Sequence, residues 1–311
     1  MARRPTPLPD ALPSPVFTTV DALSLGIPAH RLLARDVQRL RTGLYLRAGL
    51  TAGPLAVAQA LCRNDPSVVV VGTSAARCWG MPLPRWISAW PLTLAIPPSS
   101  RRESDDLVRW VRRRLDETRV IHRDGVRILD RVGTWASLGS ELSVMDLVVI
   151  ADHLLRRPRA CHEGGRTAPY ATRDQLEQAL EATPGIGRPR AREALALARV
   201  GSDSPMETRL RLALRAAGLP EPVLNQPVDE AELGPTPDMM WPRFRVAAEY
   251  DGDHHLTREQ RDRDILRAER FRRLGWLVVL ITSRDMQRGA RPAVARVEAA
   301  LRERGWEPGT P

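Results

Sequence analysis

The sequence contains no lysine; all 47 of its basic residues are arginine. Activation of a water molecule by a lysine ammonium is therefore ruled out from the start. Cysteine is nearly as scarce. Cys62, Cys78 and Cys161 are too few and too irregularly spaced for a disulfide framework or a zinc knuckle, and Cys161-His162 has no second ligand pair near it. Long apolar runs are missing too. The longest, around Ser67–Val71 and Trp276–Ile281, fall well short of the ~20 residues that a membrane helix needs. The opening Met-Ala-Arg-Arg-Pro-Thr-Pro continues into further prolines instead of an apolar segment, so no secretory signal is read and a cytoplasmic protein without membrane contact is expected.

What is present fits a folded, multi-domain chain. Hydrophobic residues make up 43% and charged residues 27% of 311 positions, a composition that excludes wholesale disorder and a length that suits two or three domains. The net charge of +10 and a pI near 10.9 favour a polyanionic partner, because guanidinium groups attract phosphates and donate paired hydrogen bonds to them. A coding bias that trades lysine for arginine explains the missing lysine, but it explains the surplus of positive charge less well.

The fold class expected is α/β in several domains: 1–52, 53–160, a helical linker 161–203, and 204–311. In the first, a short helix opens at Thr18-Thr19-Val20-Asp21 and breaks at Gly26-Ile27-Pro28. A second helix is predicted over Ala29–Arg39, and Leu40–Leu46 alternates about Gly43 as a small β-wing would. Helix, turn, helix and wing is a DNA-binding layout, and its second helix would present Arg31, Arg35 and Arg39. The alternatives are a small bundle with a solvated basic face, or a module that docks a protein partner or a second copy. From Pro54 to Arg156 the pattern is mixed: a helix over Leu55–Arg63, a buried strand at Ser67–Val71, a helix opening at Thr73-Ser74-Ala75-Ala76, a strand near Leu92–Ile96 and a polar loop Pro97–Asp106. Helices over Arg173–Ala182 and Arg188–Val200 follow. With Ser74-Ala75-Ala76 and Met145-Asp146-Leu147, this half resembles the AbiEi-like antitoxin proteins of abortive infection.

The last domain carries the chemistry. It reads as a helix over Pro205–Ala217, a strand near Val223–Val228, a hairpin of Pro237–Trp241 and Arg245–Asp251, a helix over Thr257–Leu274, a strand Trp276–Thr282 and a helix over Pro292–Arg304. With the hairpin centred between Pro242 and Arg243, Asp238 lies opposite Ala247. Side chains alternate faces along a strand, so Ala247, Glu249 and Asp251 share a face with Asp238. Asp238 and Glu249 then lie roughly 5–8 Å apart, a separation that a divalent cation with hard oxygen ligands can bridge. Without a cation the carboxylates repel and one tends to stay protonated.

Order and residues together resemble the PD-(D/E)XK nucleases. The run Ser204-Pro205-Met206-Glu207, Pro237-Asp238, Glu249-Tyr250-Asp251-Gly252-Asp253-His254-His255, Asp264-x-x-Arg267 and Gly275-Trp276 is similar to a branch like the very-short-patch-repair (Vsr-like) endonucleases. The resemblance covers Ser204–Met286 and departs from the superfamily motif at Asp251, where lysine is usual. It implies a metal-dependent DNA endonuclease of repair or defence that hydrolyses phosphodiester bonds with Mg²⁺ or Mn²⁺. Asp238 and Glu249 would ligate the ion with the Tyr250 carbonyl, and Glu207 would bind it directly or through water. Asp251 would complete the site or hold a metal-bound water, His255 or His254 would accept a proton or touch phosphate, Gln260 would match a helix glutamine of several relatives, and Arg267 would hold the scissile phosphate. Arg258, Arg261 and Arg263 would contact the nucleic-acid backbone without reading sequence.

Plainer readings stand beside these. Ser204-Pro205-Met206-Glu207 is a capping box with proline at the first helical position, and Thr257-Arg258-Glu259-Gln260 is another. Arginine pairing is the alternative role for Asp238 and Glu249. The rival function is a DNA-binding regulator or antitoxin that keeps an inactive nuclease fold as a platform.

Overall fold

The computed structural model describes residues 6–159, 164–183, 185–229, 234–251 and 258–309, with side chains except at 258–264. The chain is mixed α/β and divides into two compact units, Met1–Glu141 with Gln178–Arg188, and Leu142–Glu177 with Pro189–Pro311. Among the described residues no helix is long and apolar enough to cross a membrane.

The first unit opens with β1 (Val16–Thr18) and α1 (Thr19–Ser24). Thr18 caps α1 reciprocally: its hydroxyl accepts from the Asp21 amide at 3.1 Å, and the Asp21 carboxylate accepts from the Thr18 amide at 2.8 Å. Strands β2 (Val37–Arg41) and β3 (Leu44–Arg47) turn at Thr42-Gly43, where Gly43 takes φ +78°, and the sheet order is β1-β3-β2. Phe17, Ala22, Ile27 and Leu32 form its core.

The second helix expected over Ala29–Arg39 is not formed. Ala29–Leu33 is a single 3-10 turn, and the chain then becomes β2. β-branched Val37 and the alternation that follows it gain an antiparallel ladder to β3, broken only by a register shift between Arg39 and Arg41, which a helix through the same residues would forfeit. Arg31, Arg35 and Arg39 therefore share no helical face. Arg31 pairs with Asp36 at 2.6 Å, Arg35 lies exposed in a turn, and Arg39 on β2 donates to the Thr42 hydroxyl at 2.7 Å.

The same unit continues with α2 (Pro54–Asn64), β4 (Val69–Val70), α3 (Gly72–Cys78), β5 (Leu92–Ile96), β6 (Val108–Arg112), β7 (Val120–Arg123), β8 (Val126–Leu129) and α4 (Arg131–Ser137). Asn64, at the end of α2, donates to Asp21 at 3.0 Å and to Thr18 at 2.9 Å, tying the helix to the cap of α1. The five strands are ordered β6-β5-β4-β8-β7, parallel between β5 and β6 and between β4 and β8.

Helices α5 (Val144–Leu155), α6 (Arg173–Ala182), α7 (Arg188–Leu197) and α8 (Pro205–Ala216) come next, followed by β9 (Val223–Leu224), β10 (Met239–Trp241), β11 (Val246–Asp251), α9 (Arg258–Arg273), β12 (Leu277–Thr282) and α10 (Gln287–Glu303). The strands of the second unit form one sheet, ordered β12-β11-β10-β9, in which only the β11–β12 pair is parallel. Strand alternation sorts its residues cleanly between two faces. Met239, Trp241, Val246 and Ala248 join Leu210 and Leu214 of α8 and Val297 and Leu301 of α10 in the larger core. Met240 and Ala247 face the other way, against Phe271 of α9.

Beneath α8, Arg211 and Asp152 are fully buried as an ion pair at 2.9 Å. Asp152 also accepts from Thr208 at 2.9 Å and from the Arg199 amide at 2.7 Å. Removing two charges from water is costly, and these added hydrogen bonds make the pair tolerable.

Candidate active site

The site begins at the start of α8. Ser204 accepts from the Glu207 amide at 3.2 Å, and Pro205 occupies the first turn, where its missing N–H costs nothing. Glu207 reaches back to accept from the Asp203 amide at 2.8 Å, one residue before the cap, so the Ser204 half of the expected capping box is formed while the carboxylate bonds a neighbouring amide in place of the Ser204 one. Yet Glu207 is only 6% exposed and also accepts from the Asn225 side-chain amide at 3.0 Å, which turns it towards β9 and β10.

The β10–β11 hairpin departs from the expected register. Met239 pairs with Ala248, Met240 with Ala247 and Trp241 with Val246. Continued by one step, this sets Asp238 opposite Glu249 instead of Ala247. The turn is longer than expected because Pro242–Phe244 forms a 3-10 turn closed by Arg245 in the left-handed conformation, φ +50°. The displacement is two residues, and with a side-chain period of two the facing is kept. Asp238 and Glu249 thus lie on the α9 side of the sheet as directly opposed neighbours.

Asp238 is held through both its backbone and its side chain. Its carboxylate accepts from the Tyr250 amide at 2.7 Å, and its carbonyl accepts from the Asn225 amide at 3.1 Å. Burial, then the charge of Glu207, pushes its pKa from 3.8 up to about 7; Glu249 adds to the rise, while the Tyr250 N–H and Arg267 oppose it. Glu249 is engaged by Arg267 of α9, whose Nε donates to it at 2.9 Å and whose Nη2 donates to the Thr236 carbonyl at 2.6 Å. The Arg267 guanidinium lies 5.7 Å from the ring centroid of Phe271, one helical turn further along, and Phe271 anchors that turn in the core.

Of the residues singled out in the sequence, Asp238, Glu249, Glu207 and Arg267 come together. Asp251 is the exposed last residue of β11, at the rim. Tyr250 packs against the larger core while its amide serves Asp238. His254 and His255 lie outside the described residues, as do the side chains of Gln260, Arg258, Arg261 and Arg263.

Among the described residues no group of three or more His, Cys, Asp or Glu side chains is placed to hold one ion. The opposed pair Asp238 and Glu249 nevertheless has the donor chemistry of a Mg²⁺ or Mn²⁺ site: hard carboxylate oxygens, close to a third carboxylate, with one acid driven towards protonation by desolvation and by its acidic neighbours.

Sequence reasoning missed the frame around these acids. Asn225, in the left-handed region at φ +50°, bonds both Glu207 and Asp238 and accepts from Arg159 at 2.8 Å. Arg159 also pairs with Asp203, which lies 3.6 Å from Arg156. The one signal available was asparagine's tolerance of left-handed backbone at a strand end.

No family model matches the chain. Two proteins of Mycobacterium tuberculosis, from different strains and both described as uncharacterized, are 33% identical to it over 153 residues, 47% of this chain and 56% of each of theirs. The matched stretch thus spans little more than half the length of these curated relatives.

Proposed function

We propose that the second unit is a metal-dependent DNA endonuclease with a PD-(D/E)XK core, and that the protein hydrolyses phosphodiester bonds. The observation that carries this reading is the Asp238 carboxylate, half-buried opposite Glu249 and near Glu207, with its pKa raised to about 7 by desolvation first and by those two acids after it. Three acids gathered on the polar end of a small sheet are costly unless they serve a cation. Asp238 and Glu249 would hold Mg²⁺ or Mn²⁺, with Glu207 acting directly or through water and Asp251 at the rim. Held there, the ion would supply a more acidic water and offset charge that builds on the phosphate. Arg267 stands beside the pair, where a guanidinium can turn from Glu249 to a phosphate oxygen. The arginines of α9 and the exposed Arg35 and Arg39 would draw in the DNA backbone.

A second reading also has an observation in its favour. Arg267 already neutralises Glu249, and the chain has no lysine, so a DNA-binding regulator that keeps the fold without the chemistry fits the same residues. Incubating the full chain, Asp238→Ala and Glu249→Ala with single- and double-stranded DNA and Mg²⁺ or Mn²⁺ separates the two. Cleavage by the native chain alone supports the nuclease. DNA binding without cleavage of any substrate supports the regulator.

A further inference from the structure

A second place in the molecule has the makings of a binding site, and it stands independently of the nuclease reading. The first unit holds a half-open cavity of about 350 Å³, within the ~300–1,000 Å³ that small-molecule sites occupy. Arg113, Arg114, Arg119 and Arg188 line it, against one carboxylate, Asp116.

These charges do not cancel. Arg119 is matched by Asp130 at 3.3 Å, and the Asp116 carboxylate is taken up by the amide and hydroxyl of Thr118 at 2.9 and 2.7 Å. Arg113 follows β6 and is partly buried; its guanidinium makes no hydrogen bond or ion pair among the described residues, and burial lowers its pKa. Arg188 opens α7 with its Nε enclosed and likewise unpartnered among the described residues. Two partly desolvated guanidiniums facing one cavity without counter-charges are costly in the empty protein, and an anion removes that cost. The lining also includes apolar side chains, Leu115, Leu129 and Ala136.

We propose that this cavity binds a small phosphorylated ligand of mononucleotide size, its phosphate held by Arg113 and Arg188 and its organic part lying on Leu115, Leu129 and Ala136. Guanidinium forks match phosphate in geometry as well as charge, and an apolar wall beside them suits a ligand with a body over free phosphate alone.

Calorimetric titration of the full chain tests this with AMP, inorganic phosphate and adenosine, and with one DNA oligonucleotide carrying either a 5′-phosphate or a 5′-hydroxyl. AMP should bind saturably and more tightly than phosphate, and adenosine should not bind. Arg113→Gln and Arg188→Gln should each weaken AMP by about tenfold, the loss expected for one charge-assisted contact, while the free protein melts no lower and, with a desolvated charge removed, somewhat higher. Ser140→Trp, at an exposed lining position, fills the cavity without removing an arginine and should abolish binding. AMP binding that survives all three variants overturns the proposal, as does the absence of saturable binding by AMP and phosphate. Tighter binding of the 5′-phosphorylated strand than of AMP, lost in the same variants, would also overturn it by making the cavity a receptor for strand ends.

Discussion

Replacing Asp238 with asparagine should stabilise the metal-free protein above neutral pH and leave it nearly unchanged near pH 4. The folded chain raises this acid from 3.8 to about 7, so between those values it retains a proton that the unfolded chain has released. Stability therefore falls as pH rises through that window and levels off above about 7. At 1.36 kcal/mol per pH unit the full rise corresponds to about 4 kcal/mol, carried by the acid cluster as a whole. Asparagine has no proton to lose, and its side-chain oxygen can still accept from the Tyr250 amide. Urea denaturation followed by circular dichroism, in EDTA at pH 4 to 8.5, reads the difference directly. The native curve should decline with pH while the Asp238→Asn curve stays nearly flat, and Mg²⁺ at pH 8 should restore stability to the native chain only. Parallel curves for the two proteins across that range would refute the electrostatic reasoning, whatever the outcome of a cleavage assay.

Two further substitutions probe the frame. Asp152→Ala leaves the fully buried Arg211 with Glu221, 3.4 Å away, as its one counter-charge among the described residues, and should cost about 3–5 kcal/mol in urea denaturation, the range for breaking a buried ion pair from one side. Gly187→Ala places a Cβ against the backbone of Gly139 and Ser140, which cannot swing aside as a side chain would, so the melting temperature of the first unit should fall.

How much of this was legible in the sequence depends on what each residue depends on. The all-apolar strand Leu92–Ile96 and the helix Arg173–Ala182 coincide with their expected spans, because continuous burial in one case and capped periodicity in the other decide the structure locally. Strands β6, β7 and β8 were not foreseen. β6 reads Val-Arg-Trp-Val-Arg and β7 reads Val-Ile-His-Arg, polar patterns that sheet edges accept and that no short window distinguishes from loop. In Ala29–Arg39 helical spacing was present, but the ladder to β3 prevailed. At the candidate site, strand parity sufficed to place Asp238 and Glu249 on one face even though the turn was misjudged. The Asn225 bridge depends on residues from 159 to 238 meeting in space, and no local pattern announces that.

The contact between Arg267 and Glu249 has a consequence for how the site responds to its surroundings. Half of the acidic pair is already occupied by a cation that cannot diffuse away, tethered by Phe271 one turn along the same helix. A divalent ion entering there must win a competition against an internal rival, so its apparent affinity is the intrinsic one reduced by the fraction of time Arg267 stays docked. Occupancy would then depend on whatever draws Arg267 off, and an incoming phosphate does so by offering the guanidinium an alternative anion. Under the proposed function, ion and polyanion would thus reinforce one another's binding, and a protein carrying +10 charges would hold such an ion most firmly when nucleic acid is present.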